Sequence, residues 1–139
     1  MKPEQFIREF GEKKAREVVE GAPDKTATHW VFRKVPNYYS VDFQSWFHDD
    51  EWWDSDCHTE QDLIDSYGDD FVVSLSDLKR LVESVEIIET VGYDRDGAEE
   101  IYEFSKDCEV IHYSGLEIKV SRLAQAIRDH ETIYGGGDA

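Results

Sequence analysis

Between Ala27 and Trp53 the chain runs Thr28-His29-Trp30-Val31-Phe32, then Tyr38-Tyr39-Ser40-Val41, then Trp46-Phe47, and finally Glu51-Trp52-Trp53. Aromatic and β-branched residues in bursts this short fit a pleated, half-buried surface. Turn formers punctuate them, with Pro36-Asn37 between the first two bursts and Asp49-Asp50 after the third. The pattern predicts an antiparallel meander of three or four short strands, the fourth carrying Glu51-Trp52-Trp53 after a tight Asp49-Asp50 turn.

Outward from this region the period changes to that of helices. Ile7, Phe10, Ala15, Val18 and Val19 recur at helical spacing, Pro3 suits a first turn and Gly21 a stop, so one amphipathic helix is expected over Pro3 to Glu20. Gly21-Ala22-Pro23-Asp24-Lys25 reads as a loop. After the strands, residues 54–70 are polar and acidic, with room for one short helical turn around Asp62 to Tyr67. Ser74 and Asp77 stand in capping-box spacing ahead of Leu75, Leu78, Leu81, Val82, Val85 and Ile88, a helical stripe reaching Val91-Gly92. A further helix is expected over Gly97 to Phe104. A last one is capped by Ser114 or Ser121, with Leu116, Val120, Leu123, Ala124, Ile127 and Tyr134 as its stripe and Gly135-Gly136-Gly137 as its end. The fold class expected is α+β, with an N-terminal helix, a small antiparallel meander and C-terminal helices packed on the sheet. One domain over residues 1–134 and a disordered tail at 135–139 complete the expectation.

Length and composition agree with a folded chain. At 139 residues it can bury roughly two-thirds of its unfolded surface. It is 40% hydrophobic, with four Trp, seven Tyr and seven Phe, which supplies the core material that acidic disordered chains lack. No apolar run approaches the roughly 20 residues of a membrane span, and Met1-Lys2-Pro3-Glu4-Gln5 lacks a signal peptide's apolar segment, so a cytoplasmic location is expected. Cys57 and Cys108 lie far apart without C-x-x-C spacing, as reduced thiols do.

Charge sets the functional expectation. From residue 35 to residue 78 there is no Lys or Arg and there are twelve acids, so this stretch supplies −12 of the net −17. Carboxylates packed this densely repel one another, and they suit either plain solubility or a strongly positive partner. The same balance argues against direct binding to nucleic acid or to anionic membranes, where affinity comes from Lys and Arg. The carboxylates expected to face a partner are Asp49, Asp50, Glu51, Asp54, Asp56, Asp62, Asp65, Asp69 and Asp70. Trp52 or Trp53 is the aromatic anchor among them, because adjacent strand residues alternate faces and tryptophan is enriched at binding hot spots. On a strand Asp54 and Asp56 would repeat at about 6.7 Å, near two phosphate steps of about 3.4 Å, a pitch that suits mimicry of nucleic acid in an enzyme's groove.

Other chemistry has weaker support. His48-Asp49-Asp50-Glu51-Trp52-Trp53-Asp54-Ser55-Asp56-Cys57-His58 gathers two imidazoles, a thiol and five carboxylates, yet its spacing fits neither zinc nor calcium templates. No metal, cofactor or catalytic residue is assigned. A metal- or thiol-dependent enzyme built on this cluster is the rival class, and an assembly protein binding through the apolar face of the Ser74 to Val91 helix is a third. Neither G-x-S-x-G, H-E-x-x-H, the P-loop nor G-x-G-x-x-G occurs.

Gly21-Ala22-Pro23-Asp24-Lys25-Thr26-Ala27-Thr28-His29-Trp30, followed by Tyr38-Tyr39, Trp46-Phe47 and Glu51-Trp52-Trp53, resembles a module in short accessory, early-region proteins of lambdoid tailed bacteriophages and prophages. Leu78-Lys79-Arg80-Leu81-Val82-Glu83-Ser84 and Arg122-Leu123-Ala124-Gln125-Ala126-Ile127 also look like parts of such proteins. The resemblance touches about half the chain and implies a setting, the cytoplasm of an infected or lysogenic bacterium, without catalytic residues. The acidic run from Asp49 to Asp70 is not part of the module. Within that setting the expected function is non-enzymatic: binding a basic surface of a host or phage protein, such as a nuclease or defence enzyme that handles nucleic acid.

Overall fold

Gly11 interrupts the first helical stripe. Its φ of +91° lies where only glycine rests without strain, so the expected single helix becomes α1 (Pro3–Phe10) and α2 (Glu12–Glu20). The break shifts the phase of the buried face. Phe6, Ile7, Ala15 and Val18 are buried, Val19 is half-buried, and Phe10 is 46% exposed while still touching the rings of Phe6 and Phe32. The computed structural model describes all residues except 24–25, 33–37, 93, 114 and 136–139. The turn expected at Pro36-Asn37, the end of the Gly21 to Lys25 loop, the Ser114 cap and the tail beyond Gly135 fall outside the described residues. The chain divides into two compact units, Met1–Lys79 and Arg80–Ala139.

The first unit contains the expected meander. Strands β1 (His29–Val31), β2 (Tyr38–Ser40), β3 (Ser45–His48) and β4 (Glu51–Asp54) pair antiparallel in sequence order, and β5 (Val72–Ser74) adds a fifth strand against β1. That last strand lies at the sheet edge beside β1, with Val72 and Val73 both buried. Register places His29, Tyr39, Trp46 and Trp53 on one sheet face, and Trp30, Tyr38, Phe47 and Trp52 on the other. On the first face Val31, Tyr39, Trp46 and Val72 pack with Cys57 and with Leu63 of α3 (Glu60–Tyr67). On the second, Phe6 meets the edge of Trp30 at 5.8 Å, and Tyr38 donates to the Val18 carbonyl at 2.7 Å. Burial raises the Tyr38 and Tyr39 phenols above their usual range.

The boundary between the units falls within α4 (Leu75–Val91), whose residues Leu75, Leu78, Leu81, Val82, Val85, Ile88 and Val91 are all buried. Beyond it come α5 (Arg95–Ser105), a hairpin of β6 (Val110–Tyr113) and β7 (Leu116–Lys119), and α6 (Val120–His130) with a wide final turn to Gly135. Helix α5 opens earlier than Gly97 because Asp94 caps it, accepting from the Gly97 N–H at 2.8 Å. Gly97 itself is required, since a Cβ there would lie 2.2 Å from the Gly92 carbonyl oxygen.

The hairpin overturns the expected start of the last helix. Leu116 belongs to β7 and is 50% exposed, and α6 follows the strand directly with its first N–H, on Val120, bonded to the Glu109 carbonyl at 3.0 Å. A serine cap at Ser121 is therefore unnecessary. Val120, Leu123, Ala126 and Asp129 are its buried residues, while Ala124 and Ile127 are half-buried and Tyr134 is exposed. Ile88, Val91, Ala98, Ile118, Leu123 and Ala126 form the core of this second unit.

A polar knot joins α4 to α6. Buried Asp129 accepts from Ser84 at 2.6 Å, from Arg80 at 3.3 Å and from Gln125 at 2.9 Å, while Arg122 donates to Ser84 at 3.0 Å. A buried carboxylate with this many donors is held by them, and removing it strands the donors. Further along α6, burial together with nearby Arg95 pushes His130 below its ordinary value of 6.5, against the opposing pull of Asp94.

Two tests follow from the second unit. Asp129→Ala should cost about 2–3 kcal/mol in urea unfolding, the range of a broken buried ion pair discounted for the partly exposed Arg80; a loss below about 0.5 kcal/mol would show the knot to be idle. The His130 imidazole is harder to protonate folded than unfolded, so it withdraws stability as pH falls from about 6.5 through its lowered folded value, and withdraws nothing above about 6.5. His130→Gln should therefore match the parent protein at pH 8 and unfold less readily than it at pH 5. Parallel pH–stability curves would contradict this.

Candidate functional site

The acidic run occupies the β3–β4 hairpin, α3 and the turns around them. The hairpin closes on a two-residue loop, with Asp49 at φ +52° and Asp50 at φ +62° between the paired His48 and Glu51. Two successive left-handed residues make the turn whose twist matches antiparallel strands. Aspartate tolerates that region better than most residues but less well than glycine. The tight turn expected from Asp49-Asp50 is thus present, and it projects two carboxylates beyond the end of the sheet.

Packing decides which tryptophan is outside. Trp46 is buried against Tyr39 at 4.9 Å and Tyr67 at 5.7 Å, and its indole N–H reaches Ser55 at 3.2 Å. Trp52 is half-buried, its ring 5.3 Å from Phe47 and 5.9 Å from Phe43. Trp53 is 53% exposed, and its indole N–H donates to the His48 carbonyl at 3.0 Å, which pins the ring beside the Asp49-Asp50 turn. Phe43 is 54% exposed and extends the aromatic surface around Trp52. Its place in the short loop after Val41 offers no periodicity that would have singled it out.

The carboxylates divide by role. Asp49, Asp50, Glu51, Asp54 and Asp56 are exposed, and so are Asp65, Asp69 and Asp70. Asp49 has the His48 ring at 3.4 Å, Asp65 accepts from Gln61 at 2.8 Å, and among the described residues none of these eight pairs with a lysine or arginine side chain. Asp62 is committed elsewhere. It accepts from the Thr59 N–H at 3.2 Å and the His58 N–H at 2.9 Å, while the Thr59 hydroxyl accepts from the Asp62 N–H at 3.1 Å, a capping box that starts α3. Glu60, outside the predicted set, binds the buried His29 ring at 2.6 Å. Strand β4 ends at Asp54, so Asp56 is not on it and the two do not form a strand ladder of carboxylates.

The His48 to His58 cluster does not converge. The buried Cys57 thiol meets the Ser66 hydroxyl at 3.7 Å, and the exposed His58 ring turns to the Gln44 side-chain oxygen at 2.6 Å. Ser55 spends its hydroxyl on Trp46 and on the Cys57 N–H, at 3.0 Å from the latter. Among the described residues no three His, Cys, Asp or Glu side chains gather as a metal site requires, and no helix is long and apolar enough to cross a membrane. Comparison with protein-family models, with curated proteins and with solved structures finds no match to this chain.

The turn geometry is open to test by glycine. Asp50→Gly should raise stability by about 0.5–1 kcal/mol over Asp50→Ala, because both remove the same charge and only glycine relieves the left-handed backbone. Equal melting temperatures for the two variants would show that the turn carries no such strain.

Proposed function

We propose that this chain is a non-enzymatic binding protein whose β3–β4 hairpin engages an arginine-bearing, basic surface of a protein partner. The observation that carries the reading is the placement of Trp53, half exposed and pinned by its N–H beside a turn of exposed carboxylates that have no lysine or arginine counterion among the described residues. An arginine guanidinium can stack on the indole and bond a carboxylate bidentately at once, which an ammonium cannot. Asp49, Asp50 and Glu51 supply that charge at the hairpin end, Asp54 closes the outer strand, and Asp56 lies just past it.

The partner class follows from the charge. A surface that accepts a dense array of carboxylates is one built for phosphates, so a nuclease or defence protein that handles nucleic acid is the expected target, in the bacterial cytoplasm that the phage resemblance implies. Mimicry here is of charge density at a sheet edge rather than of a phosphate ladder, since Asp56 lies off the strand.

Octa-arginine and octa-lysine titrated into the full chain by calorimetry test the chemistry. Octa-arginine should bind the more tightly. Asp49→Lys with Asp50→Lys should weaken it about tenfold while lowering stability by only the ~1–2 kcal/mol that lysine costs at two left-handed positions, and Trp53→Ala should erase the preference for arginine. Raising salt from about 0.05 M to about 0.5 M should weaken binding strongly. Affinity unchanged by the double reversal would sink the proposal. For a protein retained from bacterial lysate, release by excess duplex DNA would support occupation of a nucleic-acid site, and indifference to DNA would remove that part of the reading.

A further inference from the structure

A groove runs between α5 and α6 in the second unit, with an open volume of about 1030 Å³. Ala124 and Ile127 of α6 and Tyr102 of α5, all half-buried, give it an apolar floor. Its α5 wall is acidic. Asp96, Glu99, Glu100 and Glu103 recur at positions i, i+3, i+4 and i+7, a single stripe about 10.5 Å long. Like charges at these separations weaken a helix, so the stripe is costly unless cations meet it. Arg95 lies 3.8 Å from Glu99 and Lys106 lies 2.9 Å from Glu103, whereas Asp96 and Glu100 have no ion pair among the described residues. At the lip stands Phe104, 91% exposed, an extreme value for a phenylalanine at the end of a packed helix. The cation on the opposite wall, Arg128, is already bonded to Gln125 at 2.9 Å.

We infer that this groove is a docking site for a basic amphipathic helix of a partner protein. Apolar side chains of such a helix at i, i+3, i+4 and i+7 would enter the floor and cover Phe104, while Lys or Arg on its flank would meet Asp96 and Glu100. A second copy of this chain suits the groove poorly, because it brings the same net charge of −17 to an acidic wall. The site uses different residues from the β3–β4 hairpin and stands or falls independently of it.

The probe is a fluorescein-labelled synthetic peptide of about 18 residues, long enough to hold a helix, with leucine at helical spacing and lysine elsewhere. Its controls are a scrambled peptide of the same composition and one with glutamate in place of lysine. The full chain should bind the helical basic peptide at least about tenfold more tightly than either control. Asp96→Lys with Glu100→Lys should weaken it about tenfold, and Phe104→Ala, an exposed position that spares the fold, about fivefold. Asp49→Lys with Asp50→Lys makes the same change in net charge away from the groove, and should alter affinity less than about twofold. Equal losses in the two double reversals would reduce the effect to net charge and overturn the inference, as would equal binding of the scrambled peptide. Concentration-dependent dimerisation that is lost with Phe104→Ala would also overturn it, in favour of a second copy.

Discussion

Tyr39 and Trp46 lie opposite one another on β2 and β3, their rings in edge contact at 4.9 Å, and the placement of everything on the outer half of the first sheet depends on that pair. Both are buried, and α3 closes over them through Leu63 and Tyr67. The Tyr39 hydroxyl donates to the Cys57 carbonyl, which ties the segment after β4 back onto β2. A one-residue slip of β3 would turn Trp46 to the other face and expose it, so burial of one indole selects the register. Through β3 the same choice passes to β4, where Trp53 falls opposite Trp46 but beyond the cover of α3.

This arrangement resolves a conflict between cohesion and charge. Twelve acids without a lysine or arginine between residues 35 and 78 generate repulsion that a loop would relieve by spreading out. Aromatic packing on one side, and the capping box at Thr59 and Asp62 on the other, hold the hairpin and α3 instead. The result is a set of carboxylates carried on a paired hairpin and a capped helix. The second unit meets its own charge differently, by drawing Arg80, Arg122 and Gln125 around the Ser84–Asp129 pair. Its outer α5 face stays acidic.

The α+β class, a meander of three or four strands, the Asp49-Asp50 turn and the long apolar stripe from Leu75 to Val91 were legible because period, turn chemistry and burial agree there. The break at Gly11 is not legible in the sequence, because the apolar spacing on either side of it still looks helical and only the positive φ separates the two helices. Val72–Ser74 and Leu116–Lys119 are strands of three and four residues, too short for period 2 to stand out against adjoining helices. The exposure of most acids around the hairpin follows from their charge, but their separate contacts do not. That Asp62 caps a helix, that Asp56 leaves the strand and that Trp53 rather than Trp52 faces solvent are consequences of tertiary packing, as is the groove beside Phe104.

A discrete arginine site at the hairpin carboxylates and Trp53 would leave a local signature on binding. The most direct measurement is amide and indole N–H chemical-shift mapping of the full chain during titration with octa-arginine. Saturable shifts centred on residues 48–54, led by the Trp53 indole N–H with the buried Trp46 indole unmoved, are the expected result. Shifts spread evenly over every exposed acid, with Trp53 no different from Trp46, would contradict it and leave the acidic run as a solvated surface.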